Sequence, residues 1–259
     1  MVELEFNGQK AKIDAGELVS YSVNEHEFIH QKGSPGWRNA DTEMFPIIGP
    51  TADAGFVVKT PKGDAVQDQH GLLRELDYTV TETTGDSVVL VKEYIANTKV
   101  ENSKFPDKST AALLSWPYGF RFKKSFELKK DGLYIVFEIE GEPGMPFMLG
   151  YHPAFKLQDE NALIQANGSK VTVPEIIKVG SRAMQIPNCE SITLKDKETI
   201  TITTKGFGNF MLWTEVDNMV CIEPITFYPY AVEQKNLHKG FLDLNAENSV
   251  FKVILQPDV

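Results

Sequence analysis

Between Phe120 and Gly141 the chain reads FRFKKSFELKKDGLYIVFEIEG, and a stretch of this kind leaves few folds open. Phe120, Phe122, Phe126 and Leu128 fall on one side of an extended backbone, and so do Leu133, Ile135, Phe137 and Ile139 beyond the Asp131-Gly132 turn. A period of two on both sides of a turn is the pattern of two long antiparallel strands with one buried face. The device recurs along the chain. VELEFNGQKAKI centres on Asn7-Gly8, a pair suited to a type I′ turn because both central residues need positive φ. YTVTETTGDSVVLVKEY repeats it around Gly85-Asp86, and ETITITTKG and SVFKVIL alternate likewise. No window of a dozen residues carries a convincing helical stripe, so the predicted class is all-β. No repeat, linker or charge block divides the 259 residues. The expectation is therefore one domain over residues 1–259, a large antiparallel β-sandwich whose curved sheets leave a concave cleft. Two irregular stretches, HQKGSPGWRNADTEMFPIIGPTADAG and NTKVENSKFPDKSTAALLSWPYG, are longer than ordinary connections and are expected either to carry function or to contain elements that local pattern does not reveal.

Charge and composition narrow the partners. A net charge of −10 disfavours nucleic acid and anionic membranes, while leaving room for a small ligand or an anion held by a local arginine pair. No run approaches the ~20 apolar residues of a membrane span. The N-terminus, MVELEFNGQK, lacks the basic and apolar regions of a secretory leader, so a soluble, cytoplasmic chain is expected. Cys189 and Cys221 are too few for a disulfide framework and are expected to be reduced.

Several residues are candidates for chemistry. HEFIH, His26 to His30, matches the H-E-x-x-H zinc pattern, which needs a helix to bring both imidazoles to one ion. Its neighbours read as a hairpin, and in a strand four residues span roughly 13 Å, too far for two histidines to share a metal. A surface hairpin is expected there instead. His152, in MLGYHPAFKL, suits proton transfer near neutrality, or is a strand-end histidine pinned by a carbonyl. Tyr151 and Phe155 beside it offer flat faces for a sugar. Glu223, in NMVCIEPITFYP, closes an apolar run, where lost hydration raises a carboxyl pKa, or is a salt-bridged strand end. Both precede a proline, so two strands could bring them to the same rim of a sheet. Arg38 in GWRNADTEMFP, and His70 and Arg74 in DQHGLLREL, suit fixed polar contacts, or are solvated surface groups.

Taken in order, GELVSYSVNEHEFIHQ, WRNADTEMFPIIGP, HGLLRELDY, GYHPAFKL and LWTEVDNMVCIEP resemble the aldose 1-epimerase (galactose mutarotase-like) superfamily. The likeness extends to its small branch that includes hexose-6-phosphate mutarotases. The resemblance implies a β-supersandwich and an isomerase that interconverts the α and β anomers of an aldohexose or hexose phosphate, with neither cofactor nor metal. It implies Glu223 as general base, His152 as general acid, and Arg38, His70 and Arg74 as sugar-positioning residues. Acid and base would open the C1–O5 bond, the carbonyl would rotate and reclose, and the roles would exchange, which asks for pKa values near neutrality on both. The chain departs from the pattern at His30, Leu72, Tyr78 and ITFYPYA, changes expected to reshape the cleft wall. A carbohydrate-binding protein without turnover is the alternative. A glycosidase ranks last, because it needs two carboxylates and one stands out.

Overall fold

The computed structural model describes residues 1–247 and 249–258. The alternation after Phe120 becomes the two longest strands, Phe120–Lys129 and Gly132–Gly141, paired antiparallel with Phe120 opposite Gly141 and Lys129 opposite Gly132. They form the middle of a nine-stranded antiparallel sheet. Ser87–Tyr94 and Thr79–Thr83 extend it on one side. On the other side follow Val250–Asp258, Thr199–Lys205, Ser191–Lys195, Leu163–Ala166 and Ser169–Thr172. The Asn7-Gly8 pair adopts φ of 48° and 77° and joins Val2–Phe6 to Gln9–Asp14, as its sequence predicts.

A second sheet lies across the apolar face of the first. Its strands run in the order Met184–Ile186, Asn209–Trp213, Met219–Ile225, Gly150–Tyr151 and Glu43–Met44, with Ala154–Lys156 also paired to Met219–Ile225. Contacts between the layers are aromatic: Phe137 packs on Tyr151 with ring centroids 5.2 Å apart, and Phe122 on Phe45 at 5.3 Å. Burial of each such side chain contributes roughly 1.5–3 kcal/mol, and the buried cluster runs from Leu4 to Leu255. The all-β sandwich expected from the sequence is the observed architecture.

Three details differ from the sequence reading. A short helix, Val173–Val179, is present; Thr172 donates to the Glu175 carboxylate from both its backbone N–H and its hydroxyl, each at 2.8 Å. Seven residues are too few to display a stripe, although T-V-P-E is a start signal for a helix. Lys124 sits among the core-facing positions of its strand and is completely buried. His30 is no surface residue either. His26–Glu27 does pair with Ser22–Val23, as the hairpin reading expects, but His30 is buried and its Nε2 donates to the Trp37 carbonyl at 2.8 Å.

Candidate active site

The register of the second sheet brings His152 to Glu223. Gly150 lies opposite Ile225 and Ala154 opposite Cys221, so the residue midway between the first pair of positions faces the residue midway between the second. Pro153 has no N–H to give the ladder, and between the two short strands the chain turns its histidine toward the neighbouring strand. The outcome is a separation of 3.5 Å between His152 Nε2 and Glu223 Oε1. His152 is 6 % exposed and Glu223 2 %. Glu223 lies within the strand Met219–Ile225 rather than at its end, so the two groups meet side by side on adjacent strands.

Each group resists its charged form. Burial lowers the His152 imidazole to about 3, helped by the nearby Arg74 charge. Burial likewise holds the Glu223 carboxyl well above the usual carboxylate range. The resemblance implies two values near neutrality, whereas desolvation drives them apart in the direction that favours a proton on the carboxyl.

The pair lies at the floor of a cleft of about 210 Å³. Its aromatic wall is formed by Trp37, Trp213 and Tyr230. Trp37 stacks on the His152 ring with centroids 4.2 Å apart and 23° between planes. Its carbonyl is held by His30, and its N–H points to Met219 Sδ at 3.3 Å. Tyr151 and Phe155, expected to offer faces to a ligand, are instead fully buried in the core. Of the departures from the family pattern, Tyr230 reaches the cleft, Leu72 is core, and His30 acts through Trp37. Glu215 also lines the cleft. The sequence reading did not single out Trp37, Trp213, Tyr230 or Glu215, although Trp37 adjoins Arg38 and Trp213 lies one strand from Glu223.

His70 joins the same cleft, its ring edge-on to His152 at 5.6 Å. Its Nδ1 meets the Ile48 carbonyl at 2.8 Å. A carbonyl only accepts, so Nδ1 carries the proton and Nε2 is left as an acceptor for a ligand hydroxyl. Burial and the neighbouring Arg74 keep the ring neutral, with its pKa well below the usual value. His70 and Gly71 both adopt positive φ, 76° and 74°, and a Cβ on Gly71 would lie 2.2 Å from the Phe45 carbonyl oxygen. Glycine alone permits this turn.

Arg38 and Arg74 do not line that cleft. They line an adjoining cavity of about 300 Å³ together with Lys92, Lys104 and several carboxylates, Glu75 and Asp77 among them. Lys92 donates to the Leu73 carbonyl and Lys104 pairs with Asp68 at 3.2 Å. Among the described residues neither arginine has a hydrogen bond or ion pair; burial lowers Arg74, the neighbouring Glu75 charge opposes that shift, and Arg38 adds to it. Two such guanidinium groups are suited to an anion.

Behind His152 lies a buried charged network. Lys124 Nζ reaches Asp41 Oδ2 at 3.1 Å and the Gly16 carbonyl at 2.9 Å, and also pairs with Glu43. The Tyr151 hydroxyl donates to Asp41 at 2.6 Å, and the backbone N–H of His152 to the Thr42 carbonyl at 2.8 Å. One lysine of the long sheet thereby fixes the segment against which His152 is pinned. His26 and His30, by contrast, share no metal-like cluster: among the described residues, the one group of three close metal-type side chains is His152, Cys221 and Glu223.

Comparison with known proteins supplies a family. The family model described as aldose 1-epimerase matches residues 16–224. A galactose mutarotase-like protein from Lactobacillus casei superposes with a TM-score of 0.76 at 18 % identity, covering 99 % of this chain and 100 % of that one. A galactose mutarotase related enzyme from Lactobacillus acidophilus gives 0.73 at 17 % identity, covering 98 % and 97 %. No curated protein matches the sequence.

Proposed function

The chain belongs to the aldose 1-epimerase family, and from that premise we propose that it interconverts the α and β anomers of an aldohexose by acid–base ring opening and closure at Glu223 and His152. The observation that carries this reading is the pair itself, an imidazole and a carboxyl 3.5 Å apart at the buried floor of an aromatic-walled cleft. The anomeric oxygen and the ring oxygen hang on one carbon, so an acid and a base that stand side by side can address both.

Together the two groups hold one proton. A sugar hydroxyl that donates to the carboxylate favours its ionised form, so binding moves the proton to Nε2 of His152. Glu223 then removes the proton from the anomeric hydroxyl while His152 protonates the ring oxygen, and C1–O5 opens to an aldehyde. Rotation about C1–C2 presents the other carbonyl face. Closure runs the two transfers backwards, His152 now the base and Glu223 the acid. His70 accepts a sugar hydroxyl through Nε2, and the faces of Trp37 and Trp213 carry the C–H surface of the ring.

NMR exchange between anomers tests the assignment. Glu223→Gln and His152→Asn are each expected to slow exchange by about 10²–10⁴-fold. Wild-type rates in both variants would overturn it.

The finer reading is a phosphorylated substrate. What supports it is a pair of arginines that, among the described residues, have no hydrogen bond or ion pair, in the adjoining cavity beside Lys92 and Lys104. Arg74→Ala is then expected to weaken calorimetric binding of a hexose 6-phosphate by about 10–100-fold while changing that of the free hexose little. Equal losses for both ligands would remove the phosphate from the proposal.

A further inference from the structure

We propose that His152, Cys221 and Glu223 form a site for one soft divalent cation, best matched by Zn²⁺, at the floor of the cleft. The backbone brings the three together. Cys221 and Glu223 stand two residues apart in one strand and so project to the same side, and His152 faces them from the neighbouring strand. Their ligand atoms all lie within 4.8 Å of one another, and the His152–Glu223 separation is 3.5 Å. Two ligands of a tetrahedral zinc, each about 2.0–2.3 Å from the ion, are themselves about 3.3–3.8 Å apart. The nitrogen and oxygen already stand at that spacing, and side-chain torsions of Cys221 and Glu223 close the rest.

The donor set, one imidazole, one thiolate and one carboxylate, selects zinc over magnesium or calcium, which prefer oxygen alone. Three protein ligands leave a fourth position open. His152 and Glu223 line the cleft while Cys221 is buried beneath it, so that position would open toward the cleft and be completed by water. Cys221 is otherwise surrounded by Ala154, Met219, Trp37 and Trp213, so it has the packing of a small core residue and only its two polar neighbours distinguish it. Coordination sends the thiol proton to solvent. It also commits the lone pairs of Glu223 and His152 to the metal, so the ion and proton transfer exclude each other. The site uses the residues of the proposed pair but does not depend on their turning over a sugar.

The test is Co²⁺ and Zn²⁺ titration of the full chain, wild type beside Cys221→Ser, Cys221→Ala and Cys189→Ser. Wild type and Cys189→Ser are expected to take up one Co²⁺ per chain with a thiolate-to-metal charge-transfer band, absent in both Cys221 variants. Loss of even an outer-shell partner costs about 10–100-fold in metal affinity, so calorimetric Zn²⁺ binding should fall by at least that much in the Cys221 variants. The ratio of anomer-exchange rates with and without Zn²⁺ is expected to be far below one in wild type, reversible by EDTA, and closer to one in Cys221→Ser. Absence of the charge-transfer band, or equal Zn²⁺ affinity in wild type and both Cys221 variants, would overturn the site. Should no protein exchange anomers at all, the proposed function fails while the Co²⁺ spectrum still decides the metal site.

Discussion

At the scale of single residues, the feature that sets the chemistry is that His152 and Glu223 both avoid charge in the same buried place. Only the singly protonated pair can transfer a proton in both directions. A second proton binds His152, whose imidazole is lowered to about 3, so activity is lost as pH falls through that low value. The first proton leaves Glu223, whose pKa is raised, so activity is lost as pH rises beyond it. Anomer exchange measured against pH is therefore expected to be free of an acid limb between about pH 5 and 7, where an ordinary histidine would titrate. Arg74→Met removes a cation that depresses His152, and the acid limb should move to higher pH. An acid limb at the ordinary imidazole value in wild type would contradict this account. The candidate residues were legible in the sequence because His-Pro and Glu-Pro each end an apolar run. The sign of the imidazole shift was not, since it depends on burial and on Arg74, neither of which local sequence displays.

At the scale of elements, the strand Phe120–Lys129 shows how a broken pattern can be informative. Alternation put Phe120, Phe122, Phe126 and Leu128 on the core face, and the position between Phe122 and Phe126 is Lys124. Its burial works against the ammonium charge, but Asp41 and Glu43 outweigh it and its pKa is raised. Taking away one member of such a buried set leaves uncompensated charge, at a cost of about 3–5 kcal/mol. Lys124→Met should lower the stability measured by urea unfolding by that amount, although it adds apolar surface to the core. Because the same network pins Tyr151 and the backbone beside His152, the variant should also exchange anomers more slowly under conditions where it remains folded. A neutral or stabilising result would mean that the lysine acts only as core filler. The partners Asp41 and Glu43 lie in a long irregular stretch, and no local rule in the sequence joins them to a residue some eighty positions away.

At the scale of the whole molecule, the buried cluster is continuous from the N-terminal hairpins through both large sheets to the final strand. One cooperative unit over residues 1–259 is the corresponding expectation. Tryptophan fluorescence, which reports on Trp37, Trp116 and Trp213, and far-ultraviolet circular dichroism should then follow a single, coincident unfolding transition. Separate midpoints would divide the chain. Among the described residues no helix is long and apolar enough to cross a membrane. What the sequence determined by itself was the strand class and the hairpins, because period-two alternation and turn residues act over a few positions, where the chain's own sterics decide; of the cleft it marked His70, His152 and Glu223. What only the tertiary structure decided was which side chains meet: the register that sets His152 against Glu223, the wall of Trp37, Trp213 and Tyr230, and the separation of the arginines into an adjoining cavity. Those outcomes come from packing two curved sheets and a long loop together, an energy shared among residues far apart in the chain.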